Sequence, residues 1–191
     1  MLKHSLIAIV LTSTLVTGCS NIISATREEP IREDPGSRTL GSYLEDEAIE
    51  TKILVNLSKG SAPLAQSHIN VVSYNGQVLL VGQVPSAQVK QEAEQIARQI
   101  QHVRKVHNEL EIAGPTSTII RSNDTYLTSR VKLQLLADES VEGNRIKVVT
   151  ENGVVYLMGL VRPDEAERAV EITRSVSGVR KIVKVFEYVN G

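Results

Sequence analysis

Apolar residues along this chain fall into two rhythms, and the same succession of rhythms occurs twice. From Asp46 to Leu57, the residues Ile49, Ile53 and Leu57 recur every four positions, which predicts a helix with one buried stripe. Ile69 to Ser73 and Gln77 to Val84 are β-branched runs on either side of Asn75-Gly76, the dipeptide that most favours a tight hairpin turn. Pro85-Ser86 opens a second predicted helix, with Val89, Ala93, Ile96 and Ile100 on one face. Val103 to Ile112 alternates as a last strand.

The second half repeats this order. Ile69 to Val84 aligns with Ile146 to Val161 at a constant offset of about 77 residues, and both Asn-Gly pairs and both later glycines, Gly82 and Gly159, fall in step. Lys52-Ile53 matches Arg130-Val131, and Val103-Arg104-Lys105-Val106 matches Val179-Arg180-Lys181-Ile182. Arg162-Pro163-Asp164 starts the corresponding helix, which carries Ala166, Val170, Ile172 and Val176 and ends at Gly178. Each copy therefore predicts the order αββαβ, an α+β fold in which two helices cover one face of a three-stranded mixed sheet. The strand–helix–strand part implies a parallel crossover. The expected units are residues 46–113 and 123–191, joined by a linker over 114–122 where Gly114-Pro115 breaks regular structure. Each is small enough for its core to be marginal alone, so packing of one unit on the other is plausible.

Composition narrows the chemistry. Of 191 residues only 3% are aromatic and none is Trp, so the cores must be aliphatic. The net charge of −1, with mixed signs along the chain, gives no case for nucleic acid. One cysteine allows no internal disulfide and no thiolate zinc site.

That cysteine has a setting. Lys3 and His4 precede an apolar run, Leu6 to Val16, which is too short to span a bilayer and fits a signal peptide. The run ends at Val16-Thr17-Gly18-Cys19, which resembles the lipobox of bacterial lipoproteins. The resemblance implies that residues 1–18 are removed and that Cys19 is acylated. Residues 19–45 then form a lipidated terminus and a flexible linker containing Pro30, Pro35 and Gly36. Ser20 in place of Asp implies transfer to the outer membrane.

Residues 46–190 resemble the BON domain twice over. The resemblance rests on the hairpins Val71 to Gly82 and Val148 to Gly159 and on the closing Val-Arg turns. A lipobox followed by two such domains resembles the dual-BON-domain outer-membrane lipoproteins. That family implies a non-enzymatic protein that binds anionic phospholipid, such as phosphatidylglycerol or cardiolipin, through the first helix of its second domain. It also implies support of envelope integrity, with division sites as one setting. The rival expectation is a protein-interaction module that docks an outer-membrane assembly or cell-division complex through sheet edges or the same helix.

The residues offer little catalytic chemistry. His68, His102 and His107 are dispersed and have no metal-ligand spacing, and no cofactor motif appears. Asp46, Glu47 and Glu50 suit the first turns of a helix. The first helices of the two copies differ more instructively. Placed at about 100° per residue from Leu127, Tyr126, Leu133 and Arg130 share a face near 240–300°, away from the core stripe. The first copy has Ala48, Val55 and Lys52 there. An outward Tyr and Leu with basic neighbours suit a lipid surface, since a tyrosine ring belongs at a headgroup boundary. The candidate contact is therefore Tyr126, Leu133, Arg130 and Lys132, with Asn123 and Asp124 at the start of the helix, one of them as its N-cap. The bland alternative packs Tyr126 and Leu133 against the first domain or the linker.

Overall fold

A computed structural model describes residues 34 and 36–189. The leader, Cys19 and most of the linker lie outside the described residues. The first copy runs α1 (Leu40–Ser58), α2 (Ala62–Ala65), β1 (His68–Tyr74), β2 (Gln77–Val84), α3 (Ala87–Arg98), β3 (Lys105–Asn108) and β4 (Glu111–Ile112). The second runs α4 (Thr118–Ala137), a 3-10 turn (Gly143–Arg145), β5 (Ile146–Glu151), β6 (Val154–Val161), α5 (Pro163–Ser175) and β7 (Lys181–Tyr188). The α+β, twice-αββαβ expectation holds.

Both hairpins close through two residues. Tyr74 faces Gln77 and Glu151 faces Val154. The turn residues Asn75, Gly76, Asn152 and Gly153 all have positive φ, at 52°, 72°, 49° and 72°. That is the twist-matched turn which Asn-Gly tolerates and β-branched residues do not. β2 pairs in parallel with β3 and β4, and β6 pairs in parallel with β7, as a helical crossover requires. Gly82 and Gly159 serve close approach: a Cβ there would lie 2.1 Å from the His68 carbonyl oxygen and 2.6 Å from that of Arg145.

Each copy has its own aliphatic core under its helices. Ile49, Ile53 and Leu57 of α1 pack with Val78 and Leu80; Leu127, Val131 and Leu135 of α4 pack with Val155 and Leu157. A third core joins the copies. Val72, Tyr74, Leu79 and Val81 from the first sheet meet Val149, Tyr156, Met158, Leu160 and Val185 from the second. The two sheets are therefore stacked face to face, with a helix layer outside each. β2 is buried at every position, which accounts for its near-continuous apolar run. Polar bonds fix the stack. The Tyr74 hydroxyl donates to the Arg145 carbonyl at 2.6 Å and Gln83 to Glu151 at 2.7 Å. Arg104 donates to both oxygens of Glu187, at 2.7 and 3.0 Å.

Three boundaries differ from the sequence expectation. α1 begins at Leu40 rather than Asp46, capped by Thr39, whose hydroxyl accepts from the Ser42 amide. α4 begins at Thr118, so half of the predicted 114–122 linker is helix, capped by Ser117. The last strand of the first copy is broken at Glu109-Leu110, where Leu110 turns into the core at 2% exposure and the Asn108 amide group donates to the Lys90 carbonyl of α3.

Candidate membrane-contact helix

α4 is held to its domain by its buried stripe and by one carboxylate. Asp124 is 4% exposed and accepts from the amides of Asn152 and Gly153, both at 2.8 Å. It is therefore not an N-cap, and both of its oxygens are engaged within the domain. It lies well inside the helix and fastens it to the hairpin turn. Asn123 is exposed and is not the cap either, because the helix starts five residues earlier. Asp46 does the same work in the first copy, accepting from Asn75 and Gly76 at 2.8 and 2.9 Å and from the Ser73 hydroxyl at 2.6 Å. There it also holds Arg38 at 2.7 Å, and the Arg38 guanidinium lies between the rings of Tyr43 and Tyr74. The sequence carried a signal for this latch, an Asp at equal alignment in both first helices, which dipole reasoning alone passes over.

With one face latched, the other faces solvent. Tyr126 is 57% exposed and Leu133 66%, so neither is buried against the first domain. The longer helix adds Ile119 at 80% exposure. Ile119, Tyr126 and Leu133 are seven residues apart and drift by only about 20° per step, forming one outer stripe about 21 Å long. Arg130 flanks it, with its guanidinium 5.7 Å from the centre of the Tyr126 ring, within cation–π range.

Lys132 departs from the expected role. Its ammonium donates to the carbonyls of Gly143 and Ile146 at 2.8 and 2.6 Å, tying α4 to the turn before β5. Burial pulls its pKa below the ordinary lysine value. The charge neighbouring the stripe is therefore Arg130, with Arg121 further round the helix, where it donates to the Thr116 carbonyl. The one acid of α4 is the buried Asp124, so its outer face presents no carboxylate. The equivalent positions of α1 hold Gly41, Ala48 and Val55, and its exposed Leu40 and Leu44 stand among Glu45 and Glu47.

The fold and repeat match proteins already described. Residues 45–114 and 123–190 each match the BON domain. The chain is 36% identical over 185 residues, 96% of either chain, to "Outer membrane lipoprotein DolP" of Haemophilus influenzae. The chain belongs to the dual-BON-domain outer-membrane lipoprotein family. It is also 38% identical over 152 residues to a "21 kDa hemolysin" of Actinobacillus pleuropneumoniae, covering 80% of this chain and 78% of that one. To "Osmotically-inducible protein Y" of Escherichia coli it is 29% identical over 188 residues, covering 95% and 93%. The matches to the Haemophilus influenzae and Escherichia coli proteins cover 96% and 95% of this chain, so they take in both repeats. No helix among the described residues is long and apolar enough to cross a membrane.

Proposed function

We propose that this non-enzymatic lipoprotein, acylated at Cys19 and held on the periplasmic face of the outer membrane, binds anionic phospholipid through the outer face of α4 and so supports envelope integrity. The observation that carries the reading is the Ile119–Tyr126–Leu133 stripe. It is exposed, flanked by Arg130 and free of carboxylates. A helix of this kind lies in the interface plane, its apolar side chains entering the acyl boundary while cations meet phosphate. Each cation near an anionic surface contributes about 1 kcal/mol, so the contact is weak and reversible. Strong retention falls to the acyl chains, and α4 sets how the tethered body rests on the lipid.

The test is co-sedimentation of residues 20–191 with vesicles; both cores and the interface between them lie within this span. Phosphatidylglycerol or cardiolipin vesicles should retain the protein, and phosphatidylcholine vesicles should not. Raising salt should weaken retention. Tyr126→Glu with Leu133→Glu should cut it at least tenfold, whereas Ala48→Glu on α1 should leave it unchanged. Retention that survives the double change, or that fails equally with Ala48→Glu, rules out the α4 face.

A further inference from the structure

We infer that the outer edge of β7 is a docking site for an extended acidic segment of a partner protein, which would join the second sheet as an added strand. The site is separate from the α4 face and does not depend on it.

The first observation is an open edge. The second sheet has the order β5-β6-β7, so β7 has a neighbour on one side only. It runs unbroken for eight residues, from Lys181 to Tyr188. Its outward amides and carbonyls have no backbone partner among the described residues. The equivalent edge in the first copy is blunted. There the strand is split into four and two residues, and Leu110 turns inward at the break. A long unbroken edge is a template for strand addition, and short or broken strands are how proteins usually prevent it. One copy has that protection and the other lacks it.

The second observation is charge. Beside the first half of β7 is an open depression of about 390 Å³ lined by Val170 and Arg174 of α5, by Val179 and Arg180, and by Lys181, Ile182 and Lys184. Four of these side chains are cationic and exposed, and none of the lining residues is acidic. Arg174, Lys181 and Lys184 form no ion pair among the described residues, and Arg180 donates to the carbonyl and side-chain oxygen of Asn152. Most other arginines near the surface are paired, as Arg98 is with Glu94 and Arg168 with Asp138.

Together the two features select the occupant. Edge lysines disfavour a second β7 laid parallel and in register, where like charges would lie side by side. A strand with carboxylates on the face toward α5 meets the opposite condition: main-chain bonds supply affinity, and Lys184, Arg174 and the half-buried Ile182 on that side supply choice, while Lys181 on the other face adds general attraction.

The experiment uses residues 20–191 and a fluorescein-labelled decapeptide of alternating Val and Glu, read by polarisation. Controls are the Val/Lys decapeptide and a Val/Glu peptide with Pro at two central positions, which cannot complete a ladder. The Val/Glu peptide should bind, and the controls at least tenfold more weakly. Lys181→Glu with Lys184→Glu should lower affinity at least tenfold. Arg174→Glu, on α5 and outside the strand, gives a second variant, and melting curves check that both fold. Binding should also slow hydrogen exchange at alternate β7 amides and leave β3 unchanged. The proposal is overturned by no binding of the Val/Glu peptide, equal binding of the proline peptide, binding that survives the charge reversals, or self-association abolished by those reversals. If Lys181→Glu with Lys184→Glu abolishes vesicle retention instead, the patch serves the membrane and the peptide proposal fails. Loss of retention by the α4 variants alone leaves it standing.

Discussion

α1 and α4 occupy the same place in two copies of one fold, and they agree on their inner faces while differing on their outer ones. Inside, Ile49, Ile53 and Leu57 correspond to Leu127, Val131 and Leu135, and each helix sends one buried Asp to the amides of an Asn-Gly turn. Outside, α1 exposes Leu40 and Leu44 among Glu45 and Glu47 and has only Gly41, Ala48 and Val55 at the positions where α4 carries Ile119, Tyr126 and Leu133 beside Arg130. What the fold requires is kept twice. What it does not require has diverged, and the proposed recognition surface lies in that divergence. The last strands show the same division of labour, with the first copy's edge broken and the second's left whole.

The shared latch can be broken in either copy, and this should give the largest effect. Asp46→Ala removes a carboxylate from three turn groups and leaves the 8%-exposed side chain of Arg38 without its counter-ion. Uncoupling a buried pair in this way costs about 3–5 kcal/mol. Asp124→Ala leaves two turn amides unsatisfied without stranding a charge, for about 1.5–3 kcal/mol. Urea unfolding of both variants should rank them in that order. Equal losses would mean that Arg38 adds nothing to the first latch.

The hairpins and inner faces were legible because their signals are local: two Asn-Gly turns, two close-approach glycines and a four-residue apolar period. The helix starts were not. Leu40, Leu44 and Ile119 face solvent, so the period that marks a buried face is absent in those first turns, and only the caps Thr39 and Ser117 announce them. The break at Glu109-Leu110 was hidden for the opposite reason. Alternation looks continuous there, while a long-range bond from Asn108 to α3 sets the bend. Of the predicted lipid contacts, Tyr126, Leu133 and Arg130 share the outer side of α4. Asp124 and Lys132 lie on the same helix but are engaged within the domain, because no spacing rule shows that a turn amide or a carbonyl pair waits beneath them.

The outer faces sharpen the comparison at intermediate size. Ile119→Ser, at the position that the late helix start concealed, should lower retention on phosphatidylglycerol vesicles by about tenfold, or roughly 1.4 kcal/mol. Full burial of such a side chain contributes about 1.5–3 kcal/mol, and a stripe resting at an interface realises part of that. The reverse transplant, Gly41→Ile with Ala48→Tyr and Val55→Leu, gives α1 the same stripe. It should recover little binding in a Tyr126→Glu background, because Glu45 and Glu47 remain. Full recovery would show that apolar area alone decides, and the flanking charge would lose its role.

The smallest expected effect lies between the copies. The bond from Arg104 holds the Glu187 carboxyl below the usual glutamate value of 4.5; burial opposes this, while Asn75 and Gln77 add to it. A carboxyl lowered on folding contributes stability that is complete above its unfolded value and is lost as pH falls through the folded one. The clasp should therefore be intact at neutral pH and loosen below about pH 4.5. Arg104 is 54% exposed and Glu187 26%, so the pair is worth no more than about 1 kcal/mol. Melting temperatures measured from pH 7 down to pH 3 should fall more steeply in the wild type than in Glu187→Gln, with the two curves converging at the acid end. Parallel curves would leave the joining of the copies to the Tyr156–Met158 core and to the Tyr74 and Gln83 bonds, none of which depends on protonating Glu187.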